Sequence, residues 1–364
     1  MFPYLVAFVI SIVATYLSAN SSGRGFTKFL YTLFAVAPLV ILAAFRAHTI
    51  GTDTPNYVAL FRDAVDEGNG IIRYIYLHPS FEIGFLAYNY IIAQFVKTVE
   101  VYYLITYGLI IGFTYASAMR LKDYLSPTVF MTIYYFLYFS DSLNVMRQYI
   151  AIAFVFYAVS NLLTDRTKAY IIFTLLASIF HASAILSFLI GILYFIIKRF
   201  PLAENKVVYM VFGLIAFVAV MKMDAFAHMG LIPVFESKLQ NHLNNALDGG
   251  VSNSHIMVCF STIAFLLYSY TKENPVCDLF LLLLILTMIF YLSPSMNSTL
   301  YRFALYFNTI TCFAVSYIYK GSAKSSKNRY FVLGLLGMYV FFFFFSIVLA
   351  KTNEVIPYEF ITYK

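Results

Sequence analysis

Apolar residues in this chain neither alternate nor keep to one helical face; they run in long blocks separated by short polar stretches. The blocks fall near 2–18, 27–45, 81–96, 101–118, 125–140, 145–163, 169–197, 207–221, 255–270, 276–292, 303–319 and 330–349. A helix that crosses the hydrocarbon core needs about 20 mainly apolar residues, because lipid offers the backbone no partner and each N–H and C=O must be satisfied inside the segment. The pattern predicts an all-α polytopic integral membrane protein with about twelve transmembrane segments. No fixed-period repeat and no low-complexity linker interrupts it, so residues 1–364 read as a single transmembrane domain. Two stretches, near 46–80 and 222–254, are polar enough to lie outside the bilayer. The second runs from Lys222 through Asp224, His228, Glu236, Lys238 and His242 to Asp248-Gly249-Gly250, a pattern that predicts an amphipathic interfacial helix followed by a turn.

Composition sharpens this picture. Hydrophobic residues make up 62% of the chain and charged residues 11%, against roughly 25% charged in an ordinary soluble domain. With a mean hydropathy of +0.80, a soluble enzyme is excluded. The chain has 39 Phe and 32 Tyr but no Trp, so Tyr is expected to fill the interfacial belt that Trp usually shares. The net charge of +7 is scattered through short loops, which fits retention of basic loops in the cytoplasm and not a nucleic-acid partner. If Arg24/Lys28, Arg120/Lys122, Arg166/Lys168, Lys198/Arg199/Lys206, Lys272 and Lys320–Arg329 all lie inside, then 46–80, 140–147, 222–254, 293–302 and 350–364 lie outside. That solution requires a short or re-entrant element in 81–118 and another in 169–197. The alternative gives 81–118 two crossings and moves Arg147 inside. Cys259, Cys277 and Cys312 lie in or beside apolar blocks without ligand spacing and read as core thiols. The first block lacks a basic flank and a small-residue cleavage site, so it reads as a retained helix.

Four polar constellations break the apolar pattern. Arg46-Ala-His48-Thr-Ile-Gly51-Thr52-Asp53-Thr54-Pro-Asn56-Tyr57 follows the second block; its hydroxyls, carboxylate and amide are groups that hold a sugar, or else its Asp or Thr caps an external helix through Phe61. Asn144-Val-Met-Arg147-Gln148-Tyr149 opens an apolar block. An Arg at bilayer depth costs roughly 2.5–3.5 kcal/mol on insertion scales and so faces a cavity, a partner or, by snorkelling, the interface. Its planar fork suits phosphate. His181, in Ser178-Ile-Phe-His181-Ala-Ser183, is suited to move a proton near neutral pH or to serve as a satisfied structural residue. Arg302 and Tyr306, four apart, share a helix face, and two intramembrane Arg residues could neutralise a diphosphate or anchor helix ends. His78/Glu82 and Ile356-Pro357-Tyr358-Glu359 are weaker features, and two candidate ligands make no metal site.

Phosphate-binding Gly loops, dinucleotide fingerprints, a nucleophile elbow and a zincin helix are all missing from the sequence. The acidic doublets that hold Mg²⁺ beside a nucleotide-sugar are missing too, which argues for a donor already activated on a lipid. No metal and no cofactor is expected.

In this order, Arg46 with Gly51-Thr52-Asp53-Thr54 and Tyr57, Glu82 with Gly84-Phe85, Arg147-Gln148, His181-Ala-Ser183, Arg302 with Tyr306-Phe307, and Pro357-Tyr358 resemble the EpsG-type branch of the Wzy polysaccharide polymerases across almost the whole chain. Where such proteins often show Glu-Pro-Gly-Phe, this chain has Glu82-Ile-Gly84-Phe85. The resemblance implies a metal-independent glycosyltransferase of the bacterial inner membrane that joins oligosaccharide repeat units carried on undecaprenyl diphosphate, on the periplasmic or outer face. It makes lipid-linked donor and acceptor the substrates, with membrane lipids and a chain-length regulator protein as further partners and no nucleic acid. On that reading Arg147 and Arg302 hold the leaving diphosphate and His181 or Asp53 accepts the acceptor proton. Arg46, Thr54, Tyr57, Gln148, Tyr306 and Tyr358 then bind substrate. A lipid-linked saccharide transporter or flippase and a ligase-type transferase are the competing readings.

Overall fold

The computed structural model describes residues 1–21, 25–68, 70–201, 253–269, 274–292, 298–321 and 326–361. The apolar block 207–221, and the stretch 222–254 with its expected interfacial helix except for its last two residues, lie outside these residues. The described chain is helical, and its one β-type pairing is an isolated antiparallel bridge between Arg46 and Phe360. It divides into two compact units, Met1–Ile185 with Tyr319–Lys364, and Leu186–Ile318.

The first unit begins with α1 (Phe2–Asn20) and α2 (Phe26–Ala44), which pack on each other. Two shorter helices follow, α3 (Thr54–Asp66) and α4 (Ile71–Leu77), then α5 (Ile83–Phe95) and α6 (Val99–Arg120). After α7 (Pro127–Leu137) and α8 (Phe139–Asn144), the helix α9 (Met146–Leu162) is buried on nearly every side between α6 and α10 (Thr167–Phe180). A 3₁₀ segment, Ala182–Ser187, ends the first part of this unit.

In the second unit, α11 (Phe188–Arg199) and α12 (Asn253–Tyr268) both pack on α13 (Pro275–Tyr291), which also carries α14 (Ser298–Asn308). The helix α15 (Ile310–Gly321) follows. Back in the first unit, α16 (Ser326–Phe344) packs on α7, where Phe343 meets Phe8 and Phe136 with ring centres 5.7 and 5.4 Å apart.

Among the described residues five stretches are long and apolar enough to span a bilayer: Phe2–Asn20, Phe26–Ala44, Val99–Arg120, Ala182–Arg199 and Asn328–Leu349. Helical membrane architecture is therefore as the sequence indicates, but the count of about twelve spans is not supported. In two of the blocks the helix is shorter than the apolar run. Block 169–197 stops at His181 and restarts as a 3₁₀ segment, leaving α10 at 14 residues. Block 81–96 yields a 13-residue α5, beside the single long helix α6, so 81–118 does contain a short element.

Three stretches expected to share one compartment do meet at one end of the first unit. The Ala47 N–H donates to Glu359 O (2.9 Å), the Ile361 N–H to Phe45 O (2.9 Å) and the Gly51 N–H to Glu354 O (3.3 Å). The Tyr4 hydroxyl donates to Val355 O (2.9 Å) and the Tyr358 hydroxyl to Leu42 O (2.8 Å). The C-terminal segment is thus a strap across the ends of α1 and α2.

Candidate functional site

Under the strap lies Arg46, with no exposed surface. All three of its guanidinium nitrogens donate to protein oxygens: Nη1 to Ala43 O, Nε to Ile50 O at 3.4 Å, and Nη2 to the Tyr107 hydroxyl at 3.0 Å and Leu143 O at 3.2 Å. Its Cζ also lies 4.5 and 4.9 Å from the ring centres of Tyr103 and Tyr107. The cation is thus held by neutral dipoles and aromatic faces, with no carboxylate partner among the described residues. Thr54 is equally buried and donates to Ile50 O at 2.6 Å. Gly51 makes the turn possible: its φ is +91°, and a Cβ there would lie 2.8 Å from Thr54 Oγ1 and 3.0 Å from Leu143 O. Burial pushes the Tyr358 hydroxyl up to about 12, so it remains a donor to Leu42.

Asp53 stands at the N-cap of α3, but its carboxylate makes no capping bond. Its backbone N–H instead donates to Asn144 Oδ1 (2.9 Å), which also accepts from Thr52 Oγ1 (2.6 Å). Asn144 Nδ2 donates to Asn353 Oδ1 (3.2 Å), and Asn353 Nδ2 to Asp141 Oδ1 (2.6 Å). Asn353 lies in a turn where Lys351, Asn353 and Glu354 all have positive φ, a backbone state that costs a non-glycine residue about 1–2 kcal/mol. This relay of amides joins the Asp53 loop, α8 and the strap. Tyr57 is buried with its ring 5.9 Å from that of Phe85.

Arg147 begins α9, close after Asn144, and its surroundings differ from those of Arg46. Its Nη1 donates to Glu82 Oε2 at 2.5 Å, and its Cζ lies 5.0 Å from the Phe81 ring centre. Among the described residues nothing accepts from Nε or Nη2, and the side chain keeps 16% of its surface exposed. An open guanidinium edge therefore sits at a helix N-terminus, where the macrodipole also favours an anion. Gln148, the next residue, is buried. The second oxygen of Glu82 accepts from the Ala182 N–H at 3.3 Å. His181, immediately before, is mostly buried, and its Nδ1 lies 2.7 Å from Ser183 Oγ.

Gly84 explains how these parts meet. A Cβ at Gly84 would overlap the Ile179 side chain and approach Ile179 O to 2.6 Å, so only glycine lets the start of α5 lie against the end of α10. Gly84→Ala is expected to force these helices apart at a cost of about 1–3 kcal/mol. Thermal unfolding in detergent should show that loss together with reduced activity; an unchanged melting temperature would mean the contact yields freely.

Arg302 and Tyr306 both lie on α14 of the second unit, Tyr306 buried and Arg302 half-buried. Tyr301 beside them shares a 3.2 Å hydrogen bond with His255 Nε2. Sequence reasoning missed His255 and Asn353, and it undervalued Glu82 and Asn144. For Glu82 a signal existed: an Arg opening an apolar block in a chain with 17 acidic residues needs a counter-charge.

No curated protein and no solved structure matches this chain. The EpsG family signature, however, matches residues 29–360, a stretch that holds every residue of the two clusters around Arg46 and Arg147 except Tyr4 and Ile361. The chain belongs to the EpsG family, a Wzy-type polysaccharide polymerase-like family of which this is a helical membrane member.

Proposed function

We propose that this protein is a membrane glycosyltransferase that polymerises undecaprenyl-diphosphate-linked oligosaccharide repeat units into O-antigen or exopolysaccharide, at the periplasmic or outer face of a bacterial inner membrane. The observation that carries this reading is the open Nε/Nη2 edge of Arg147 at the N-terminus of α9, on the Glu82 carboxylate that also takes the Ala182 N–H next to His181. In the reaction an acceptor sugar oxygen bonds to the anomeric carbon of the donor. The bond from that carbon to the diphosphate oxygen breaks, and the lipid diphosphate leaves with the electron pair. Arg147 stabilises the charge that develops on the leaving oxygens, the kind of preorganised electrostatic contribution that often dominates catalysis.

The acceptor proton goes to His181 or Asp53. For His181 to take it at Nε2, Nδ1–H must donate to Ser183 Oγ, a tautomer that the 2.7 Å separation permits. Tyr57 and Gln148 border this region. Arg46, Thr54 and Tyr358 serve the site from below, as the frame that holds the Asp53 loop and α8.

Purified protein incubated with a lipid-linked repeat unit, followed by sizing of the products, tests the reading. A ladder is expected. A single transfer would make the protein a ligase, and no new glycosidic bond would make it a transporter. Because guanidinium carries the phosphate charge in this scheme, the ladder should survive EDTA. Its loss on chelation, with rescue by Mg²⁺ or Mn²⁺, would move the charge-stabilising role to Asp53, Glu82 and Asp141.

A further inference from the structure

Three helix ends meet at the Glu82 carboxylate. The start of α5 carries it, the start of α9 carries Arg147, and the turn from α10 into the 3₁₀ segment carries His181 and Ala182. Arginine and carboxylate commonly close with two parallel bonds between fork and fork. Here they do not: Glu82 Oε2 takes a single nitrogen of Arg147 at 2.5 Å, because Oε1 is turned to the Ala182 N–H at 3.3 Å. The consequence is geometric. One edge of the guanidinium is fixed and the other is left for a ligand, while the peptide that follows His181 is tied to the same carboxylate.

We propose that Glu82 is the positioning residue of this site, holding Arg147 by one nitrogen so that its second edge faces an anionic substrate, and keeping the His181 turn in register with it. The inference rests on the polymerase reading for its substrate and deepens it. Gly84 fits the same role, since its missing Cβ brings α5 near enough to α10 for Glu82 to reach Ala182.

The test uses the full chain in proteoliposomes and compares wild type, Glu82→Gln and the charge-swapped pair Glu82→Arg/Arg147→Glu. Turnover and KM are read with a lipid-linked repeat unit, and affinity is read with inorganic pyrophosphate as the probe. Glu82→Gln removes the counter-charge, so pyrophosphate should bind at least as tightly as in wild type and KM should not rise. Turnover should nevertheless fall about tenfold to a hundredfold, since misplacement of a catalytic group by about 1 Å can cost that much. The swapped pair should restore the attraction and the membrane level but not turnover.

Wild-type turnover in Glu82→Gln, or recovered turnover in the swapped pair, would reduce Glu82 to a brace and overturn the assignment. If Glu82→Gln does not accumulate, Glu82→Asp takes its place: it keeps the counter-charge on a shorter side chain, so turnover should still fall about tenfold, and wild-type turnover would overturn the assignment. A wild type that makes no glycosidic bond overturns the polymerase reading instead. In that case Arg147-dependent pyrophosphate binding, kept in Glu82→Gln, would still support the role of Glu82, and binding indifferent to Arg147 would end it.

Discussion

Arg147→Lys should reach normal levels in the membrane yet lose roughly a hundredfold to a thousandfold in turnover, the usual consequence of removing one donor aimed at developing charge. Lysine keeps the positive charge and can keep the ion pair with Glu82. What it lacks is a second edge: its one nitrogen, held 2.5 Å from a carboxylate as Nη1 now is, has no rigid fork to present to phosphate on the other side. The defect should fall on kcat, with KM less affected, because the contact matters most as the leaving oxygens gain charge. Steady-state kinetics in proteoliposomes measure this. Near-full activity of Arg147→Lys would make the residue a helix anchor.

Arg46→Ala should fail at an earlier stage, in folding. Arg46 has no exposed surface and donates to Ala43 O, Ile50 O, Leu143 O and the Tyr107 hydroxyl. Without it the Ala43 carbonyl loses this donor, although Ile50 O and Leu143 O keep Thr54, and the space of a fully buried side chain is emptied. A lost partner costs about 1–3 kcal/mol and a large-to-small core change about 2–5 kcal/mol, together a large part of a total stability of about 5–15 kcal/mol. The variant is expected to be degraded, or to melt far below wild type in detergent. Membrane abundance and thermal unfolding read this directly. Normal abundance with no activity would instead return Arg46 to the substrate contacts expected from its sequence context.

The contrast between the two arginines shows what the sequence could convey. Both stand beside apolar blocks, both precede polar residues, and composition gives no means to tell them apart. Arg46 is satisfied partly by near neighbours, Ala43 and Ile50, and partly by Tyr107 and Leu143, which are distant in sequence. Those last two partners hold it in the interior, and no local pattern announces them. Arg147 has one distant partner, Glu82, and an open edge. Its exposure follows from the division of one carboxylate between two donors, which is a tertiary fact.

The helices were more legible, because an apolar block in a chain this poor in charge has few ways to satisfy its backbone except as a helix. Where a block is interrupted, the charge rule asked for a short element within 169–197 but gave no position for the break. Residues 169–197 read as one apolar run, yet the run breaks at His181, where the Ala182 N–H goes to Glu82 and Gly84 lies against Ile179. The strap shows the same limit. Ile356-Pro357-Tyr358-Glu359 stood out only weakly, since the strap's value lies in the bonds of Tyr358, Glu359 and Ile361 to Leu42, Ala47 and Phe45, each more than 300 residues away. Residues of 46–80, 140–147 and 350–364, three of the stretches that placing the basic loops inside puts together, meet around Asn144 and Asn353.

The central claim is that the anionic end of the substrate sits where α5, α9 and α10 meet. A lipid diphosphate analogue with a photoreactive group beside its phosphates tests this most directly, with the labelled positions read by mass spectrometry of the full chain. Labels within Phe81–Gly84, Met146–Tyr149 and His181–Ser183, suppressed by excess pyrophosphate and lost in Arg147→Ala, are the predicted result. Labels that avoid all three stretches, or that persist unchanged in Arg147→Ala, would contradict it.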